Sequence, residues 1–112
     1  MRNQRDAALI YCADCAPEGT RAALAAALEA AGLTARLRLA SAPGLGSCDA
    51  PVALALRGEG RAAYLFAGVA PATDGEDIGA TCRLWLESEA GWIEDARPCG
   101  RLRFLLKARV PG

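Results

Sequence analysis

The chain contains no histidine among its 112 residues. That absence removes Cys/His zinc sites, histidine general bases, and both Ser-His and Cys-His nucleophilic catalysis. Aromatics are scarce, with two each of Trp, Tyr and Phe, too few for a platform on which nucleic-acid bases would stack. Net charge is absent as well. The 13 basic and 13 acidic residues cancel, which speaks against a nucleic-acid binder. No run of 18 apolar residues occurs, so no membrane-spanning helix is expected. The first six residues, Met1-Arg2-Asn3-Gln4-Arg5-Asp6, are polar and are followed by only five apolar ones, too few for a signal peptide. These absences imply a cytoplasmic protein, with neither nucleic acid nor membrane among its partners. They also make an enzyme the less favoured class.

What is present is a globular composition, 53% hydrophobic. A chain of this length buries roughly two thirds of its unfolded surface, enough for one core without disulfide staples. One domain over residues 1–112 is therefore expected. Residues 1–6 would form a polar N-terminal segment and residues 97–112 a tail packed on or near the domain. Charge is unevenly spread. Residues 74–95 hold seven acids against one base, Arg83, and residues 97–109 hold five bases and no acid. The two segments are expected to lie close together and neutralise each other.

Taken in order, Ala7-Ala8-Leu9-Ile10-Tyr11 reads as a buried strand. Pro17 suits the first turn of a helix running over residues 20–31. Leu24, Ala27, Leu28 and Ala31 give that helix an apolar stripe, and Gly32 ends it. Residues 34–39 alternate, with Leu37 and Leu39 inward and Arg36 and Arg38 toward water, as a half-exposed strand near a sheet edge does. A Gly/Pro/Ser loop covers residues 41–50. Val52-Ala53-Leu54-Ala55-Leu56, the turn Arg57-Gly58-Glu59-Gly60 and residues 61–67 form a hairpin. Thr73 and Glu76 have the spacing of a capping box for a helix reaching about residue 89, with Ile78, Cys82, Trp85 and Glu89 on one stripe. Trp85 and Trp92 are expected as core anchors. Gly44-x-Gly46 and Gly58-x-Gly60 match no phosphate-loop spacing and read as turns. The expected fold is α/β: a βαβ unit followed by a β-hairpin and a helix, in a mixed four-stranded sheet of thioredoxin-like order without its middle helix.

Five cysteines remain to be explained. In a reducing compartment such clusters point to metal or redox work rather than to disulfides. Cys12-Ala13-Asp14-Cys15 joins the first strand to the first helix, where helix amides would favour thiolates. Cys48 lies in the Gly-rich loop, and the three thiols Cys12, Cys15 and Cys48 are expected to meet at the carboxyl ends of the first and third strands. Cys82 reads as a core thiol and Cys99 as an exposed or partly buried turn thiol. Cys99, Asp14 or Asp49 could supply a fourth metal ligand, although loop carboxylates ordinarily accept backbone hydrogen bonds.

The ordered set Cys12-x-x-Cys15, Gly44-Leu45-Gly46-Ser47-Cys48, Val52-Ala53-Leu54, Tyr64-Leu65-Phe66-Ala67-Gly68, Arg97-Pro98 and Ala108-Arg109-Val110-Pro111 resembles an uncharacterised bacterial family of predicted metal-binding proteins. That family is in turn related to the thioredoxin-like [2Fe-2S] ferredoxins. The resemblance implies a cysteine-ligated [2Fe-2S] cluster or zinc, held by Cys12, Cys15 and Cys48, and electron transfer with a protein redox partner if the metal is iron. The family's remaining cysteine falls on Gly44, and a [2Fe-2S] cluster ordinarily needs four thiolates. This member could therefore bind no metal. Asp49-Ala50-Pro51-Val52 is also similar to the cis-proline strand of thioredoxin. Three readings stay open: a metal-binding protein, a thiol redox protein using Cys12-x-x-Cys15, and a metal-free thioredoxin-fold binding or assembly protein with a lapsed cluster site.

Overall fold

The computed structural model describes residues 7–45 and 50–112. Strand β1, Ala8–Cys12, forms where five residues in a row offer the core only apolar or weakly polar side chains. Helix α1, Thr20–Ala30, buries Leu24, Ala27 and Leu28, the stripe read from the sequence. It closes where Gly32 N–H donates to Glu29 O at 3.0 Å and Leu33 N–H to Leu28 O at 2.9 Å, the paired bonds that end many helices.

Strand β2 is Arg38–Ala42, later than residues 34–39 suggested. The N–H groups of Arg36 and Leu37 both donate to Leu33 O, at 3.0 Å each, so the intervening chain makes a turn instead of a strand. The expected edge position holds. Strands β3, Leu54–Arg57, and β4, Ala63–Phe66, form the expected hairpin, with Tyr64 and Phe66 buried on one face.

Helix α2, Gly75–Glu87, carries Ile78, Cys82 and Trp85 into the core. Its start differs from the capping box. Asp74, not Thr73, is the N-cap residue, and it is 6% exposed. Its carboxylate accepts from Ala70 N–H at 2.8 Å and from Arg101 Nε and Nη2 at 2.9 and 2.7 Å. A charged partner thus claims the carboxylate more strongly than the helix amides do. The helix also stops before residue 89. Ser88 turns extended while its N–H and hydroxyl both donate to Leu84 O, at 2.9 and 2.6 Å. Glu89 falls in a short 3₁₀ turn, exposed and off the stripe.

Residues 97–112 do more than pack nearby. A 3₁₀ segment over Arg97–Phe104 leads into strand β5, Leu106–Val110, which pairs antiparallel with β4. The sheet accordingly has five strands, not four, in the order β2-β1-β3-β4-β5. Strand β1 is parallel to β2, and each remaining neighbouring pair is antiparallel. Leu106, Ala108 and Val110 alternate with Lys107 and Arg109, a strand pattern that the expected tail leaves out. Alternating cations suit an outer strand, where they discourage further pairing.

Leu9, Leu54, Leu56, Tyr64 and Phe66 meet Leu24, Leu28, Ile78 and Trp85 in one core between the sheet and the two helices. The helices touch at Gly79, where an added Cβ would stand 2.9 Å from that of Ala31. Arg83 donates to the Ala31 carbonyl across the same contact. The acidic and basic segments do neutralise each other, through Asp74–Arg101 and Asp95–Arg97, each at 2.7 Å. Trp85 is fully buried and donates to Ala62 O at 2.8 Å. Trp92 is not a core anchor: it is 38% exposed, with the Arg109 guanidinium 3.7 Å from its ring centre. Among the described residues, no helix is long and apolar enough to cross a membrane.

Two outcomes follow from this packing. Arg101 and the Ala70 amide hold Asp74 below its ordinary carboxyl pKa of 3.8, against the opposing effect of burial. The stabilisation is present above pH 4 and is lost as pH falls through the lower folded value. Asp74→Asn should cost about 1–2 kcal/mol at neutral pH, discounted because the Arg101 head is half exposed. The gap from wild type in urea midpoints should shrink below pH 4. Gly79→Val should push α1 from α2 and cost about 1–3 kcal/mol, read as a lower thermal midpoint. An unchanged midpoint would refute the close contact.

Candidate functional site

Cys12 is the last residue of β1 and is fully buried, whereas Cys15, three residues on in a turn, is half-buried. The backbone around Cys12 is held from both sides. On one side Cys12 is in register with Ala42 of β2, and Ala13 N–H donates to Ala42 O at 2.9 Å. On the other, Cys12 N–H donates to Ala53 O at 3.0 Å. Ala42 and Ala53 bound the segment that carries Cys48. That segment therefore leaves and returns on either side of the first cysteine. The end of the sheet is the expected one, with one correction: β3 is antiparallel to β1, so the junction is at the amino end of the third strand, not its carboxyl end.

Inside the segment, Gly44 N–H donates to Asp14 Oδ2 at 2.9 Å. A Cβ built on Gly44 would lie 4.0 Å from that oxygen, with no other atom as close. The position that the sequence resemblance assigns to a cysteine is thus next to the Cys12–Cys15 turn. Asp14 acts as loop carboxylates ordinarily do, accepting a backbone hydrogen bond. Cys48 and Asp49, two of the expected ligands, lie outside the described residues.

The helix starts where residues 20–31 predict, but its amides are not placed to favour a thiolate at Cys15. Helix α1 starts at Thr20 behind Gly19, which has φ 89°. Pro17 lies before the helix, and its carbonyl accepts from Thr20 N–H at 3.2 Å and from the Thr20 hydroxyl at 2.7 Å. A separate turn thus intervenes, and the α1 amides do not start at Cys15 to favour a thiolate there. Within the stretch likened to the thioredoxin cis-proline strand, the cis peptide bond is Pro51–Val52 and not the bond before the proline.

The other two cysteines belong to the core. Cys82 is 1% exposed, and burial first, then neighbouring Cys99, pushes its pKa up to about 12. Cys99 was expected to be exposed or partly buried but is 3% exposed. The 3₁₀ segment that carries it is drawn onto α2 by the Asp74–Arg101 pair, and Cys99 comes into hydrogen-bond contact with Thr81. Burial is the main cause raising its thiol pKa. Among the described residues, no three cysteine or carboxylate groups gather closely enough to hold a metal ion. Cys99 and Asp14 are accordingly not joined with Cys12 and Cys15 in a ligand group there. Side-chain pattern gave no sign of Ala42 and Ala53, whose carbonyls frame Cys12; only strand pairing reveals them.

These environments set an order of reactivity. With iodoacetamide under native conditions Cys15 should alkylate readily and Cys82 only on unfolding. Cys82→Ala should lower stability by about 1 kcal/mol or more and leave metal content unchanged. Peptide mass spectrometry reads the first outcome, and rapid native labelling of Cys82 would refute its burial.

No curated protein and no solved structure matches the chain. A family described as "Protein of unknown function (DUF1636)" matches residues 10–112. Because that match takes in nearly the whole sequence, the chain belongs to this family of proteins of unknown function.

Proposed function

We propose that this chain is a small metal-binding protein with a cysteine-ligated site at the carboxyl end of β1, on a thioredoxin-like scaffold. The supporting observation is the framing of Cys12 by Ala42 and Ala53. Both ends of the Cys48-bearing segment are hydrogen-bonded beside the first cysteine, and Gly44 is bonded to the Cys12–Cys15 turn. The scaffold reading is supported by the order β2-β1-β3-β4 with β3 antiparallel to β1, extended here by β5. Cys12, Cys15 and Cys48 are the ligands. A cytoplasmic setting would keep them reduced.

Three thiolates without histidine suit zinc, whose fourth position a water, a carboxylate or a partner protein can fill. A [2Fe-2S] cluster, and electron transfer with it, asks for one more thiolate. The burial of Cys99 and the Asp14–Gly44 bond favour a fourth group from Asp49 or from outside the chain. The thiol redox alternative is weakened because the helix starts at Thr20 and not at Cys15.

Elemental analysis with a visible spectrum, on protein purified without oxygen, tests this reading. Stoichiometric zinc is expected, lost in Cys12→Ser and in Cys15→Ser. Gly44→Cys is expected to gain a coloured cluster on iron–sulfur reconstitution, at a cost of about 1–2 kcal/mol for a side chain in the left-handed region. Wild type with neither zinc nor iron would overturn the metal reading and leave the thiol redox and metal-free binding classes. A folded but colourless Gly44→Cys protein would remove the cluster ancestry.

A further inference from the structure

The other end of β1 carries a second, unrelated arrangement. Ala8 is in register with Arg38 on one side and with Arg57 on the other. Residues in register across a sheet rise from the same face. Both arginines therefore rise from the face that carries Ala8 and Ile10, opposite the one that carries Leu9, Leu54 and Leu56 into the core. Their Cα atoms are two strand spacings apart, about 10 Å. That separation lets two guanidinium forks close on one small anion. The adjoining row on this face is Ala40, Ile10 and Ala55, a flat apolar step. A cleft of about 480 Å³ runs over this corner, lined by Ala8, Ile10, Arg38, Arg57, Gly58 and Glu59.

Arg38 and Arg57, like Arg36 and Arg103, differ from the other described arginines. Arg21, Arg61, Arg83, Arg97, Arg101 and Arg109 all donate to a protein acceptor. Arg38 and Arg57 are exposed, and neither has a hydrogen bond or ion pair with any described residue. Glu59, at the hairpin turn, also lines the cleft and has a partner of its own. Like charges flanking one residue repel, and an anion seated between them reverses the sign of that interaction. Guanidinium forks match the tetrahedral oxygens of a phosphoryl group, each through two parallel N–H···O bonds.

We propose that Arg38 and Arg57 form a phosphoryl-binding site, in which an organic phosphate places its anionic group between the two exposed guanidinium groups, above the buried Ala8, and its apolar part over half-buried Ile10, Ala40 and Ala55. The site is independent of the cysteine end, which lies four residues along β1, about 13 Å away. A duplex or single-strand nucleic acid is disfavoured by the chain's zero net charge.

Calorimetric titration at constant ionic strength tests the proposal, with inorganic phosphate, phenyl phosphate and AMP as probes. Saturable binding is expected, with a Kd of about 1 mM or below for an organic phosphate. Arg38→Gln and Arg57→Gln should each weaken it at least tenfold, and Arg103→Gln, elsewhere on the surface, should leave it unchanged. Circular dichroism confirms that each variant is folded. Tighter binding of phenyl phosphate and AMP than of phosphate, with Ile10→Ser erasing the difference, assigns the site to an organic ester. Equal affinity assigns it to free phosphate and refutes the apolar half. No saturation, or equal losses in all three arginine variants, would overturn the site.

Discussion

Strand β1 is hydrogen-bonded along both edges, to a parallel neighbour on one side and an antiparallel neighbour on the other. The rest of the molecule depends on that mixed pairing. A parallel β2 sends its carboxyl end toward Cys12, and an antiparallel β3 starts from the same end. Had β3 been parallel to β1, the chain leaving β2 would have had to cross the length of the sheet before re-entering it. The short return is what brings Ala42, Gly44 and Ala53 around the Cys12–Cys15 turn. The same register, read at the opposite end, sets Arg38 and Arg57 on either side of Ala8.

The two faces of the sheet have different duties. One carries the core, closed by α1 and α2 with Gly79 at the point where they meet. The Asp74–Arg101 pair fastens the 3₁₀ segment to the start of α2, and this places Cys99 in the core beside Cys82. The chain thereby separates two chemically alike pairs of thiols. Cys82 and Cys99 are buried beside α2, where desolvation holds the proton on sulfur. Cys12 and Cys15 lie at a strand end, with Cys15 partly open to solvent.

Periodicity made much of this legible. Leu24, Ala27 and Leu28 betrayed α1; Ile78, Cys82 and Trp85 betrayed α2; the glycine turn after Arg57 betrayed the hairpin. Each of those signals is local, a matter of which side chains recur within a few residues. What failed was decided at a distance. Thr73 lost the cap to Asp74 because Arg101, 27 residues on, claims the Asp74 carboxylate. Strand β5 carries a legible alternation, Leu106, Ala108 and Val110 against Lys107 and Arg109, yet pairing with β4 is what turns the expected tail into a strand. Trp92 was read as core because nothing nearby in sequence announces that Arg109 stacks on it. At the cysteine end, the residue types and the helix start at Thr20 are visible in the string, but the four residues 16–19 keep the helix amides away from Cys15. Strand direction, which sets both ends of the Cys48-bearing segment beside Cys12, is encoded in no short motif.

The framing of Cys12 by Ala42 and Ala53 also bears on how such a protein changes over generations. Both anchors are main-chain groups, so they persist whatever side chains the intervening residues carry. Lengthening a segment whose ends are already fixed is cheap, about 0.6 kcal/mol for each doubling. Substitutions between the anchors consequently change the side-chain chemistry at this end of the sheet more readily than they change the fold. Gly44, held by its own main-chain bond to Asp14, lies in a stretch where the residue types can change while the anchors at Ala42 and Ala53 stay in place.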